Sequence, residues 1–414
     1  MDDVPASEWD ELSGTADIDF QRGFLQFREY LEPGESVLLT ARSAGRIEGA
    51  LRGVLSVPES GLTSDPWKFV GSEAVLRLRQ EEGQAQADAL RREQRALVRG
   101  AGRAVGDTEE PLWRTLTRQV GSCLVVREFD RSELLLRPDL WDGERTRLTA
   151  QLLAAAQSAA LANGAGAVAL PFVSPADTVL RDALADAGFR GGALTGASWI
   201  PTGGFTTYED FLAHLPSRRR RRYRLEEREL AQAPHLTAGV VDLAENAARI
   251  AVLEANTLQK HGGQGDAEAI HQARTTLSRT LPDAVRIPAV LRHGELIACA
   301  LHLQGNKSIV FMTYGCDYTV EDRGASYPWA AFYYPIRTAV ESGVASVRLG
   351  LEGFEAKTRR GAVVEPRELW VWTPDADALG RLGELLDLVD DRNSRYLEQF
   401  TPHGQGAADR GVTA

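Results

Sequence analysis

The chain has 414 residues, 43% hydrophobic and 25% charged, enough for two domains with cores of their own. Lys+Arg 47 against Asp+Glu 58 leave a net charge of -11, which excludes a general polyanion binder, argues against DNA, and confines any nucleic-acid contact to a local patch. Three widely spaced cysteines, Cys123, Cys299 and Cys316, make neither a disulfide framework nor a zinc pattern, and the acidic start MDDVPASEWDEL lacks the basic and apolar regions of a signal peptide. With no apolar run of membrane-spanning length, a soluble, cytoplasmic protein is expected.

In chain order, SVLLTARSAGRIEGALRGVLSV (37–57) reads as two strands joined at Ser43–Gly45. Residues 73–104, rich in Ala, Leu, Arg, Gln and Glu, read as helical. Then come a strand (122–129), a helix (144–163), a strand (166–173), a helix (176–189) and a short strand (197–200). The Pro/Gly/Thr stretch IPTGGFTTYEDF (200–211) reads as a boundary. Beyond it, 284–315 reads as three strands turning at His293–Gly294 and Gly305–Asn306, followed by a helix (326–343) and strands at 345–351 and 368–372. In each half a helix stops at a glycine, Gly164 or Gly343, and a buried strand follows, which favours two copies of one mixed α/β unit.

The segment LPSRRRRRYRLEEREL (215–230) opens the second copy. With Ser217 as the expected N-cap, the positive end of the helix dipole meets Arg218, Arg219, Arg220, Arg221 and Arg222. Arg218/Arg222, Arg220/Arg224 and Arg224/Arg228 are like-charge i,i+4 pairs, each costing roughly 0.2–0.5 kcal/mol. Successive positions step by about 100°, so five arginines encircle the helix and cannot share one solvated face. Some of them must reach a phosphate, a carboxylate or the acidic surface of the first half. Only four lysines occur, Lys68, Lys260, Lys307 and Lys357, so nearly every cation is arginine and runs of it arise more readily.

Several stretches together resemble the FemAB-like branch of the GNAT acyltransferase superfamily: SEWDEL with FLQFREYLE, then GASWIPTGGFTTYEDFLAHLPSRRRRRYRLEERELAQA, then MTYGCDYTVEDRGASYPWAAFYYPIRTAVESGVASVRLG followed by FEAKTRRG. The resemblance covers most of residues 7–375 and is weakest over 58–120, where an Arg-rich helical segment stands in place of strands. It implies an α+β fold of two tandem GNAT-like domains, each a mixed sheet flanked by helices. The expected layout is 1–200 with a helical insertion about 73–120, 201–400 carrying the donor site, and a disordered tail at 401–414. It implies acyl or aminoacyl transfer to an amine, with aminoacyl-tRNA or acyl-CoA as donor. A transfer RNA and a small-molecule or peptide amine are the partners to look for.

Such a transfer needs a polarised carbonyl, a deprotonated amine and a grip on the donor's phosphates. Donor binding falls to Arg218, Arg219, Arg221 and Arg222, and to Arg323, Gly324 and Ser326 ahead of the helix that starts near Tyr327. Arg323-Gly324-Ala325-Ser326 lacks the superfamily's usual glycine spacing, which counts against a standard CoA site. The catalytic candidates are Tyr314 and Asp317 at a strand end, with Glu352 and Lys357 in the loop after the next strand. His261, His302 and Arg359 are the substrate-binding candidates. GAGRAVG (100–106) is not a phosphate-loop motif, and no metal-ligand spacing or dinucleotide fingerprint occurs, so neither a metal nor a permanently bound cofactor is expected.

Overall fold

Alternation of apolar residues with turn residues gives twelve strands among the residues that the computed structural model describes, 4–61, 64–70, 92, 112–321 and 323–400. They are β1 (Ser36–Ser43), β2 (Arg46–Leu55), β3 (Cys123–Val125), β4 (Leu135–Leu136), β5 (Ala167–Val173), β6 (Arg190–Pro201), β7 (Leu236–Val241), β8 (Val285–Arg292), β9 (Glu295–Gln304), β10 (Ser308–Cys316), β11 (Ser346–Leu351) and β12 (Val363–Trp372). Apart from Arg92, the expected helix 73–104 lies outside the described residues, as do the 100–106 segment, the tail 401–414 and the rest of the expected insertion up to helix Leu112–Val120.

The chain forms two compact units, the first drawn from Met1–Gly14, Glu32–Ala197 and Glu365–His403, the second from Thr15–Leu31 and Ser198–Val364. The boundary near 200 is therefore only one of several crossings. Residues 15–31 fold with the later half, and 365–400 fold with the earlier half rather than with 201–364. The second exchange has a plain cause, since Glu368–Trp372 of β12 pair antiparallel with Val168–Val173 of β5.

In the first unit the strands run in the order β1-β2-β3-β5-β12, with β4 on β2. β1 and β2 are an antiparallel hairpin whose turn uses left-handed Ala44 and Gly45. Helix Asp142–Ala162 buries Leu152, Leu153, Ala156 and Ala160 against Leu124, Val168 and Leu170. Each large apolar side chain buried there stabilises the unit by roughly 1.5–3 kcal/mol. The strand expected at 122–129 stops at Val125, because Phe129 adopts φ 30° and Glu128 bridges back to Arg131 in a tight turn.

In the second unit the order is β11-β10-β9-β8-β7, antiparallel from β7 to β10 and parallel between β10 and β11. The β8–β9 turn uses left-handed His293 and Gly294, as the sequence implied. Ile309, Val347 and Leu349 pack with Phe332, Ile336, Ala339 and Val340 of the helical segment linking β10 to β11. That segment was expected as one helix over 326–343. It is α-helical at Ser326–Pro328, π-helical at Trp329–Tyr333, α-helical at Tyr334–Ser342, and ends on left-handed Gly343.

Candidate active site

Parallel pairing between β10 and β11 covers three residue pairs, Ser308↔Ser346, Ile309↔Val347 and Val310↔Arg348. β10 continues to Cys316 paired with β9 alone, through a register irregularity between Phe311 and Thr313. The two strands thus part company at their C-terminal ends, where open α/β arrangements receive ligands. Their paired base is fixed by buried polar contacts. Ser308 donates to Asp17 from both its amide and its hydroxyl, and Arg348 pairs with Asp19 and lies 3.6 Å from Asp17.

Tyr314 stands on the parted stretch of β10. Its hydroxyl lies 3.2 Å from Oγ of buried Ser326, the first residue of the following helix, and its ring meets Tyr327 edge-on at 4.9 Å. Burial, with a smaller push from Cys316, raises the Tyr314 phenol above its ordinary range, so it keeps its proton at neutral pH. At neutral pH it is therefore an uncharged phenol, which can donate a hydrogen bond or its proton and cannot act as a base.

The other candidates divide sharply. Asp317 accepts from Arg249 at 3.0 Å and from Thr319 through its amide at 3.1 Å and its hydroxyl at 2.6 Å. The Thr319 hydroxyl and Arg249 hold its carboxyl below the usual range, so it caps the loop and is a poor base. Lys357 is buried and donates to Gly350 O at 3.2 Å and Leu351 O at 2.9 Å. Its ammonium ties down a turn in which Gly350, Glu352 and Gly353 are all left-handed, a structural duty for a residue selected as a catalytic candidate. Glu352 is half-buried in that turn.

Arg323 points at its own loop, donating to Tyr318 O at 3.2 Å and to Val320 O, and left-handed Gly324 follows it. It therefore braces the loop that leads to Ser326. Arg359 lies on the surface, paired with Glu355. His261 is an exposed residue closing helix Leu243–Lys260. His302 was expected to meet substrate, but it is fully buried, with Nε2 2.8 Å from Ala330 O, and burial lowers its pKa to about 4. It is a neutral core histidine.

The arginine helix spans Ser217–Gln232. Ser217 is its first helical residue and makes no cap; Pro216 holds the N-cap position, with no side-chain bond. Arg219 donates to Thr358 O at 3.1 Å, Arg220 to Ala213 O at 3.0 Å, and Arg222 pairs with Glu226 at 2.7 Å. The described partners of these three thus lie in the same unit, on carbonyl oxygens and on the helix's own glutamate. Arg218 and Arg221 are exposed, with no ion pair among the described residues.

Four residues that the sequence reading did not select complete the neighbourhood. Glu226 also accepts from the Tyr333 hydroxyl and lies 3.9 Å from Arg360. Buried Tyr223 donates to Arg360 O at 2.7 Å and packs on the Tyr333 ring at 4.3 Å. The Arg360 guanidinium covers Phe332 at 4.9 Å and Tyr327 at 5.8 Å. The signal available for them was the density of aromatics in SYPWAAFYYP beside a Glu embedded in an arginine run.

The equivalent position in the first unit is closed. β3 and β5 also pair in parallel over three residues, ending at Val125↔Ala169. There the 126–132 turn follows directly, with Val126 N bonded to Ala169 O, Ser132 N to Phe172 O, and the Ser132 hydroxyl placed on Val126 O and Pro171 O. Among the described residues no group of three His, Cys, Asp or Glu could hold a metal, and no helix is long and apolar enough to cross a membrane.

Residues 134–403 match the FemAB-like family, described as peptidoglycan biosynthesis/recognition. No curated protein matches the sequence. Among solved structures, FemX superposes with a TM-score of 0.57 at 11% identity, covering 89% of this chain and 96% of that one, which shows a common fold. A conserved protein of unknown function from Bacteroides thetaiotaomicron gives 0.49 at 9% identity, covering 90% of this chain and 98% of that one. A tandem GNAT protein from the clavulanic acid biosynthesis pathway gives 0.45 at 15% identity, covering 90% and 95%. The α+β architecture of two mixed-sheet units is the one expected.

Proposed function

The chain belongs to the FemAB-like family, and on that premise we propose that its second unit is an acyltransferase that forms an amide bond. The observation that carries this reading is the Tyr314–Ser326 pair at the point where β10 and β11 separate. The acceptor nitrogen attacks the donor's acyl carbon, and the bond from that carbon to the donor oxygen or sulfur breaks. Tyr314 gives its proton to the departing atom. The surplus proton on nitrogen passes to Glu352, the carboxylate of the turn after β11, and from it to water, while Tyr314 is reprotonated from solvent. No net proton is gained or lost beyond the one that moves from amine to leaving group.

We assign an aminoacyl-tRNA as donor. Arg218 and Arg221 offer two exposed guanidinium groups at a helix N-terminus, without an ion pair among the described residues, on a protein of net charge -11. The acceptor is the amine of a small metabolite or peptide, and the family's link to peptidoglycan favours a peptide of that type. An acyl-CoA-dependent N-acyltransferase is the second reading, and Gly324 leading into the helix at Ser326 is the feature that favours it. A ligand-binding protein without catalysis is the third.

Binding of the purified protein to CoA, to acetyl-CoA and to a bulk charged-tRNA pool at two salt concentrations separates these. Salt-sensitive binding of charged tRNA without CoA binding supports the first, since each phosphate contact adds about 0.7–0.9 to the slope of log K against log salt. CoA binding alone transfers the assignment to the second. Peptide binding without turnover of either donor leaves the third.

A further inference from the structure

We infer that His302 is a positioning residue that fixes the π-helical turn Trp329–Tyr333, and through it the placement of Ser326 and Tyr327 against Tyr314. This inference rests on the acyltransferase reading of that site. In a π turn each carbonyl bonds the amide five residues ahead, as Trp329 O does with the amide of Tyr334. The next carbonyl, Ala330 O, would need the amide of residue 335. That residue is Pro335, which has no N–H. Ala330 is fully buried, so water does not supply the missing donor.

Nε2 of His302 stands 2.8 Å from that oxygen. A carbonyl only accepts, so Nε2 carries the proton and Nδ1 is bare; Nδ1 is buried with no hydrogen-bond partner. The groups around it favour the neutral ring. Phe311 lies at 5.5 Å, and Arg286, its neighbour across β8, turns its guanidinium to Asp283 O and Val285 O. The imidazole is therefore a fixed, uncharged donor. The turn it holds begins one residue after Pro328, and Ser326 and Tyr327 are the two residues before that proline.

The test compares wild type with His302→Gln, which keeps an N–H donor, and His302→Leu, which removes it. In wild type, nitrogen NMR of the imidazole should show the Nε2–H tautomer. Amide exchange across 326–334 should quicken in His302→Leu and recover in His302→Gln. In the acyl-transfer assay kcat for His302→Leu should fall about 10- to 100-fold with KM for the donor nearly unchanged, the size expected of a small misplacement, and His302→Gln should restore most of it. A protonated Nδ1, or unchanged exchange and kcat in a folded His302→Leu, overturns the inference. The tautomer and exchange readouts do not need turnover, so absence of acyl transfer in the wild type would refute the acyltransferase reading while these still decide the role of His302. If His302→Leu does not fold, the wild-type tautomer and the exchange rates of His302→Gln carry the decision.

Discussion

Replacing Tyr314 with Phe removes one hydroxyl and leaves the ring that packs on Tyr327. Two effects follow, and their sizes differ enough to be told apart. The lost contact is a neutral hydrogen bond at 3.2 Å, and its removal leaves the buried Ser326 hydroxyl without this partner. That costs about 1–3 kcal/mol of stability. A domain with about 5–15 kcal/mol in hand stays folded after such a loss. Loss of a general acid costs about 10²–10⁴ in kcat, or about 3–5 kcal/mol of transition-state stabilisation. Chemical denaturation read beside steady-state kinetics with charged tRNA or acetyl-CoA should therefore show a folded variant whose kcat has dropped at least about 100-fold. Because the phenol is raised above its ordinary range, the wild type should show no alkaline loss of rate from this group up to the usual tyrosine range. Near-wild-type turnover in Tyr314→Phe, or a rate loss matched by loss of folded protein, would refute the assignment of Tyr314 as proton donor.

Changing Arg218 and Arg221 together to Gln should lower the salt slope of tRNA binding by about 1.4–1.8 and leave stability within about 0.5 kcal/mol; an unchanged slope would mean that neither meets phosphate. Lys357→Met strips the donor from Leu351 O and one donor from Gly350 O, which still accepts from Ser198. It should destabilise the protein by about 1–3 kcal/mol with kcat changed only severalfold, whereas a collapse of kcat at unchanged stability would return Lys357 to the chemistry. Acid should weaken the fold through His302. The unfolded chain takes up that proton near 6.5, while the folded one refuses it until about 4. Stability is therefore present above 6.5 and is lost as pH falls towards 4, by about 3 kcal/mol at 1.36 kcal/mol per pH unit. Urea melts at pH 7 and pH 4.5 should show this slope in wild type and its absence in His302→Gln.

The parts of the fold that were legible in the sequence are those fixed over a few residues. Hairpin turns followed from His293–Gly294, and the stop of the second crossover helix from Gly343, because only a narrow set of residues tolerates left-handed backbone there. Helix, glycine and buried strand recurred in each half because the same local periodicity was written twice. Tyr314 and Ser326 were both selected from strand-end and helix-start positions, twelve residues apart.

Long-range placement escaped that reading. Arg348 meets Asp19 across 329 positions, and β12 returns to β5, so nothing near either segment in sequence reports its partner. The same limit misled the polar residues. Lys357 was selected from its place in a loop after a strand, yet its ammonium donates to two carbonyls of its own turn. His302 alternates with apolar neighbours in a strand, and only the packed crossover segment supplies the carbonyl that employs it. The arginine run was evident at once, but which of its members are already satisfied depended on Thr358 and Ala213 arriving beside them. Local backbone preference is a property of the residues themselves, so the sequence alone determined the turns, the glycine stop and the repeated order of helix, glycine and strand. Whether a charged or polar group is spent on the fold or left for a ligand depends on what is packed against it, and that was decided only by the tertiary structure.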